Sequence, residues 1–315
     1  MAIYKGNKKV VAVYKGSTPI NKIYKGSTLV FQKSGGGGGS THLFEGTATR
    51  NFDLKINSQT IPITPDADGK WFYDTDEKIT DLSNLFGDLS MSSSAVTSID
   101  LSNLDLTDIN TKSMFYTASN IKSIKFNNTK SMKLVAVSAM FYGCSSLTSI
   151  NVSSFDTSDI STLENLFGNC RSLVSLDLSS FNTSNVRHLS GLFSGCSSLT
   201  SLNVSSFDTS KVAGVNSLFR GCSSLVSLDL SNWNMNRFMY VDSLFSGCSS
   251  LVSLDLSSFV INEYGIYNDM FKDCTSLSTI KCKQAFKDWC ITNQDKIKLP
   301  TAMREGGSGT WEIIG

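Results

Sequence analysis

Two histidines, four prolines and a net charge of +1 in 315 residues leave little of what many catalytic, nucleic-acid-binding or membrane proteins depend on. His42 and His188 stand apart from any Ser-Asp or Cys-Asp arrangement that could assemble a nucleophile, a base and an orienting carboxylate, so triad chemistry is not expected. The 28 Lys and Arg are spread among 27 Asp and Glu, whereas a nucleic-acid binder gathers its cations into a patch. No apolar run approaches the ~20 residues of a membrane-spanning helix, so membrane insertion is not expected. Met1 to Val13 alternates Lys and Asn with short apolar pieces, and no secretory signal is read there. Cysteine is present, but no two cysteines lie within the roughly two to four residues that zinc pairs favour; no metal or cofactor is expected.

What the chain does have is repetition. Cys144, Cys170, Cys196, Cys222, Cys248 and Cys274 follow one another at 26 residues, and Phe141, Phe167, Phe193, Phe219, Phe245 and Phe271 keep the same beat three residues earlier. A unit of this length carrying Leu-x-x-Leu-x-Leu builds a solenoid, in which each coil supplies one parallel strand and cannot bury its apolar face alone. In the coil 172–196, Leu173, Leu176 and Leu178 end in the alternation of a half-buried strand. Val186, Leu189, Leu192 and Phe193 then fall on one stripe of a short helix, with Ser184 or Asn185 as N-cap and Gly195 as a left-handed stop. The expected fold class is an α/β solenoid, a leucine-rich repeat with one parallel strand and one short helix per 26-residue coil. Strands are expected at 150–152, 176–178, 202–204, 228–230 and 254–256, and helices starting near Ile160, Val186 and Val212.

The flanks read differently. Ile3-Tyr4-Lys5-Gly6, Val13-Tyr14-Lys15-Gly16 and Ile23-Tyr24-Lys25-Gly26 recur at a spacing of ten, followed by Leu29 to Phe31. These short β-strands cannot close a core by themselves, so 1–33 is expected to be an anchor or oligomerisation segment working through Ile3, Tyr4, Val13, Tyr14, Ile23, Tyr24 and Phe31. Residues 34–40 form a glycine-rich tether, native or an engineered linker. A β-structured cap is expected over 41–80, since the first coil of a solenoid exposes its core. The repeats follow over 81–282, and a C-terminal cap over 283–315 contains the helical spacing of Ala285 to Ile291.

The run Ser-Leu-x-Ser-Leu-Asp-Leu-Ser-Ser-Phe-x-Thr-Ser-x-Val-x-x-Leu-x-x-Leu-Phe-x-Gly-Cys of 172–196 closely resembles the BspA-like leucine-rich repeat surface proteins, over about Asp81 to Cys282. Roles in adhesion and surface interaction, with no catalytic residues, are what that resemblance implies. The Tyr-Lys-Gly block resembles short N-terminal modules of phage structural and tail proteins. Together these imply a non-enzymatic virion structural protein, a head or tail fibre or decoration protein, joined to virion proteins through residues 1–33, assembled as a homo-oligomer, and presenting its repeats to a host surface protein or glycan. The other reading is an adhesin at the bacterial cell surface.

Three features compete for the ligand. The Cys ladder reads as buried free thiols, with Cys282 and Cys290 the pair to form a disulfide if any does. The outward strand stripe of Asn151, Asp177, Asn203, Asp229 and Asp255 could bind glycan hydroxyls or a cation, or be a solvated sheet face. Departures from the repeat, Arg237, Tyr240, Tyr264 and Tyr267, supply the arginine and aromatics that binding surfaces favour, while Trp233 replaces a core Phe.

Overall fold

The computed structural model describes residues 42–75, 77–86 and 95–314, and ahead of them the backbone of four strands. These are β1 (Tyr14–Lys15) paired antiparallel with β2 (Thr18–Pro19), and β3 (Lys22–Lys25) paired antiparallel with β4 (Thr28–Gln32). Of the expected anchor residues, Tyr14, Ile23, Tyr24 and Phe31 lie in these strands. Ile3, Tyr4, Val13 and the tether 34–40 lie outside the described residues.

The cap is built from β5 (Phe44–Ala48), β6 (Phe52–Ile56), β7 (Gln59–Ile63) and β8 (Lys70–Tyr73). Alternation in Phe52-Asp53-Leu54-Lys55-Ile56 puts three apolar side chains inward, and β6 closes a hairpin with β7. β5 runs antiparallel to β8 on one side and to β9 (Val96–Leu101) on the other. Beyond β9 the pairing turns parallel, to β10 (Ser123–Phe126). An antiparallel strand thus occupies the edge that the first coil would otherwise expose. A Cβ on Gly46 would strike the Ser98 carbonyl, so this close approach requires glycine.

From there the chain winds as a β-solenoid. Phe115, Phe141, Phe167, Phe193, Phe219, Phe245 and Phe271 form one stack, with neighbouring centroids 5.5 to 6.3 Å apart and planes within 11°. Seven rings mark seven successive coils. A further parallel pair joins β11 (Met132–Lys133) to β12 (Phe155–Asp156). Toward the end, β13 (Ser227–Asp229), β14 (Ser253–Asp255) and β15 (Thr279–Lys283) run parallel in exact 26-residue register. The expected strands 150–152, 176–178 and 202–204 are not formed. There the register is kept by single long bonds, Val174 N–H to Thr148 O at 3.3 Å and Thr200 N–H to Val174 O at 3.4 Å.

The helix expected in every coil is not there. Among the described residues the one α-helix is α1 (Gln284–Thr292), in the C-terminal cap. The sequence pattern explains the error: apolar residues at Val186, Leu189 and Leu192, then at Phe193, Cys196 and Leu199, recur every three residues, which also suits a chain of turns. Each turn closes by an i to i−3 bond between core residues: Leu192 N–H to Leu189 O, Cys196 N–H to Phe193 O and Leu199 N–H to Cys196 O. The intervening amides leave the coil. Leu189, Gly191, Phe193 and Gly195 donate to Gly214, Asn216, Leu218 and Arg220 of the next one. A helix would need those amides for itself, and its dihedrals are broken twice per coil by left-handed residues. One series runs through Ala139, Asn165, Gly191, Ser217, Ser243 and Asp269, the other through Gly143, Asn169, Gly195, Gly221, Gly247 and Asp273.

At the far end α1 lies over the last coil, its Phe286 against Phe259 and its Trp289 edge-on to Tyr267, each with centroids 5.0 Å apart. β16 (Thr310–Ile314) then adds parallel to β15, and the Trp311 indole N–H donates to the Met303 carbonyl.

Candidate functional site

Each coil carries two outward ladders, and they differ in kind. On the first, the stripe of Asn151, Asp177, Asn203, Asp229 and Asp255 closes turns. Their Oδ1 atoms accept the backbone N–H of Ser153, Ser179, Ser205, Ser231 and Ser257 at 2.9 to 3.1 Å. The Ser179 backbone and hydroxyl hold the Asp177 carboxyl below the usual range, and Ser231 does the same for Asp229. Partial burial pushes Asp255 up, but Ser257 and the Lys281 ammonium, 2.9 Å away, outweigh it. A second turn-closing series, Asp156, Asn182, Asp208 and Asn234, repeats the device elsewhere in each coil. The duplicated carboxylates and amides are therefore committed through one oxygen to the backbone. Among the described residues no three His, Cys, Asp or Glu side chains come together as cation ligands.

The second ladder lies where helices were expected. Thr162, His188, Gly214, Tyr240 and Ile266 are joined one to the next by parallel bridges. This ladder gathers side chains that do not repeat. Tyr240 is 45% exposed and Met239 36%, and Ile266, beside Tyr240 on the next coil, is exposed too. The His188 ring lies over Gly214, where a Cβ would be 3.0 Å from its Nδ1. Arg187 and Arg237 stand exposed next to the same ladder.

Tyr264 and Tyr267 part company. Tyr264 takes the register position that Val186, Val212 and Phe238 use for the core, yet is 76% exposed. Tyr267 fills that space instead, 2% exposed, its hydroxyl accepting from the Asn262 N–H at 2.8 Å and donating to the Asn262 carbonyl. A Cβ on Gly265 would collide with that ring, so Gly265 lets it through. Tyr267 is a core residue and does not belong to the binding face expected of it. Trp233 is buried as expected, its indole N–H donating to Val204 O at 3.0 Å.

The sequence missed His188 and Ile266 as members of one surface, because Thr, His, Gly, Tyr and Ile at a 26-residue period share no chemistry to flag. The two histidines are far from being a catalytic set. His42 holds Asp74 at 2.7 Å and stacks on Phe72 in the cap, while His188 sits on the solenoid. All eight cysteines are free and buried, Cys282 and Cys290 included. Among the described residues no helix is long and apolar enough to cross a membrane.

No curated protein matches the chain. A family model described as a Mycoplasma protein of unknown function, DUF285, matches twice, over 80–200 and 162–289. The two matches overlap and cover the coils, as the BspA-like repeat resemblance requires; neither reaches the Tyr-Lys-Gly block, whose likeness to phage modules gains no support. With two thirds of its length matched and the matched part wound into 26-residue coils, this chain belongs to the DUF285 family.

Proposed function

We propose that the protein is a non-enzymatic surface-interaction protein, an adhesin-like scaffold that meets its partner through the second ladder of its last coils. The observation carrying this reading is the contrast between the two ladders. Repeated polar residues close turns, whereas the residues departing from the repeat, Met239, Tyr240, Tyr264 and Ile266, are exposed and brought together on one side. Exposed aromatic and long apolar side chains at one place mark an interaction site more than the same residues scattered singly.

On this reading residues 1–33 join the protein to a larger body, by homo-oligomerisation or through another protein, and the antiparallel pairs β1/β2 and β3/β4 support it. We place this interaction at a bacterial cell surface; the alternative is a place in a virion. Fractionation separates the two, by tracing the protein to the host envelope or to purified particles.

The binding test is an array of host matrix proteins and glycans probed with the full chain. The double variant Tyr240→Ala/Tyr264→Ala is expected to lose binding, while Asp177→Asn/Asp229→Asn on the first ladder keeps it. Loss in the second variant with binding intact in the first would move the site to the strand face.

A further inference from the structure

Three lysines of this solenoid pair with carboxylates on a neighbouring coil. Lys125 reaches Asp100 at 3.3 Å, Lys133 reaches Asp159 at 2.8 Å and Lys281 reaches Asp255 at 2.9 Å. The column that begins with Lys133 and Asp159 then continues at the same 26-residue period through Asn185, Lys211, Arg237 and Glu263. Lys211 donates to the side-chain amide oxygen Oδ1 of Asn185 at 2.9 Å, and Arg237 follows it, like charge beside like charge on adjacent coils. Arg187 stands two residues past Asn185. None of Arg187, Lys211 and Arg237 has a carboxylate within ion-pair distance among the described residues. The carboxylates that do face this region are Asp208, held low mainly by the Ser210 backbone and hydroxyl and also by Lys211, together with Glu263 and Asp242. Asp208 and Asp242 each already accept a backbone N–H, from Ser210 and Asn268. Like charges on adjacent coils repel unless something offsets them.

We infer that this cationic column, with the ring faces beside it, binds a linear anionic polysaccharide lying along the solenoid axis. The inference rests on the interaction reading above and names the class of partner. Coils advance by about 5 Å each, so the three cations line a track rather than a pocket. Guanidinium groups take sulfate or carboxylate oxygens in pairs. The exposed ring of Tyr240, the His188 ring over Gly214 and Tyr264 offer flat apolar faces against which sugar rings can stack. An acidic protein segment would use the cations equally but has less use for a row of open rings, and it serves as the contrary outcome.

The test uses the full chain with heparin, fully desulfated heparin, hyaluronan and poly-glutamate as probes. Binding to heparin is expected to weaken with salt and to fall at least about tenfold in Arg187→Gln/Lys211→Gln/Arg237→Gln, the sum of three exposed ion pairs. Hyaluronan in place of heparin shows whether carboxylate alone suffices. The control Arg171→Gln/Arg220→Gln, with cations exposed elsewhere, is expected to bind as the parent does, and unchanged melting curves show that every variant is folded. Tyr240→Ala is expected to weaken heparin binding without weakening poly-glutamate. The inference is overturned if the triple variant binds heparin as tightly as the parent, if the control weakens equally, or if poly-glutamate binds better than heparin and ignores Tyr240. Binding of neutral glycans or matrix proteins that depends on Tyr240 and Tyr264 but not on the cations would overturn it while leaving the interaction reading intact.

Discussion

The Cys196 thiol donates to the carbonyl of Phe167, one coil back, at 3.1 Å. The same bond joins Cys144 to Phe115, Cys170 to Phe141, Cys222 to Phe193, Cys248 to Phe219 and Cys274 to Phe245. Each of these cysteines is thus a small apolar residue that also supplies one weak inter-coil donor, which alanine and valine cannot. Each Phe carbonyl also accepts an amide of its own coil, from Ala118 for Phe115 and from a cysteine for the other five, so losing the thiol does not orphan it. Cys196→Ala is expected to cost about 1–2 kcal/mol in urea denaturation, and Cys196→Ser, which keeps a donor, to retain that bond at the cost of a buried hydroxyl. A loss as large as that of a core Phe would contradict this account.

Burial also sets a pH limit. It pushes the Cys196 and Cys274 thiols up to about 12, and the other four ladder thiols upward as well. In the unfolded chain they ionise near 8.5, so above that pH the unfolded state releases protons that the folded state holds. The thiols' contribution to stability is therefore full below about pH 8.5 and is lost as pH climbs from there toward 12. Six such groups predict a steep alkaline unfolding transition, followed by circular dichroism, that Cys→Ala substitutions along the ladder make shallower. In the folded protein at neutral pH, thiol-reactive dyes are expected to label none of the six until denaturant is added.

The core prediction concerns Phe193, which is fully buried between Phe167 and Phe219. Phe193→Ala is expected to cost about 3–5 kcal/mol, because rings on both sides prevent the coil from closing over the void. Leu202, which heads the strand expected at 202–204, is only partly buried, so Leu202→Ala should cost distinctly less in the same titration.

That difference shows what was legible. Burial along the apolar ladder could be read because duplication repeats it at one period, and the Phe and Cys columns fell where the spacing put them. The helix could not be told from a run of turns by apolar spacing alone, since Val186, Leu189 and Leu192 suit both. What decides is where the amides of Leu189, Gly191 and Phe193 donate, and their partners lie in the next coil, beyond any local window. The binding face was half legible: Arg237, Tyr240 and Tyr264 departed from the repeat visibly, but His188 and Ile266 join them only through the bridges of the second ladder. Tyr267 departed from the repeat in residue type only: it holds the register position of Leu189, Val215 and Val241, all buried, and Gly265 leaves room for its larger ring.

The first ladder admits a sharp comparison. Asp177 holds the Ser179 amide with one oxygen, a task an asparagine performs equally, as Asn151 and Asn203 do in the same column. Asp177→Asn is expected to leave the melting temperature almost unchanged, whereas Asp177→Ala lowers it. Equal melting of the two variants would mean that the turn does not depend on the side chain, and the column would return as a candidate ligand face.

Assembly is the remaining prediction. The described strands ahead of the cap pair only as β1 with β2 and β3 with β4, each a two-stranded piece too small to be stable in water without a further surface to cover it. The solenoid, by contrast, has its first coil closed by β5 and its last by α1 and β16, so it needs no partner to bury its core. A chain shortened to begin at Thr41 is therefore expected to sediment as a folded monomer with the thermal stability of the parent. The full chain is expected to sediment as an oligomer, or to co-sediment with the body that it joins, through the segment ending at Phe31. An oligomer of the same size in the shortened chain would place the association surface on the coils, where β16, the last strand of the parallel ladder, offers the open edge.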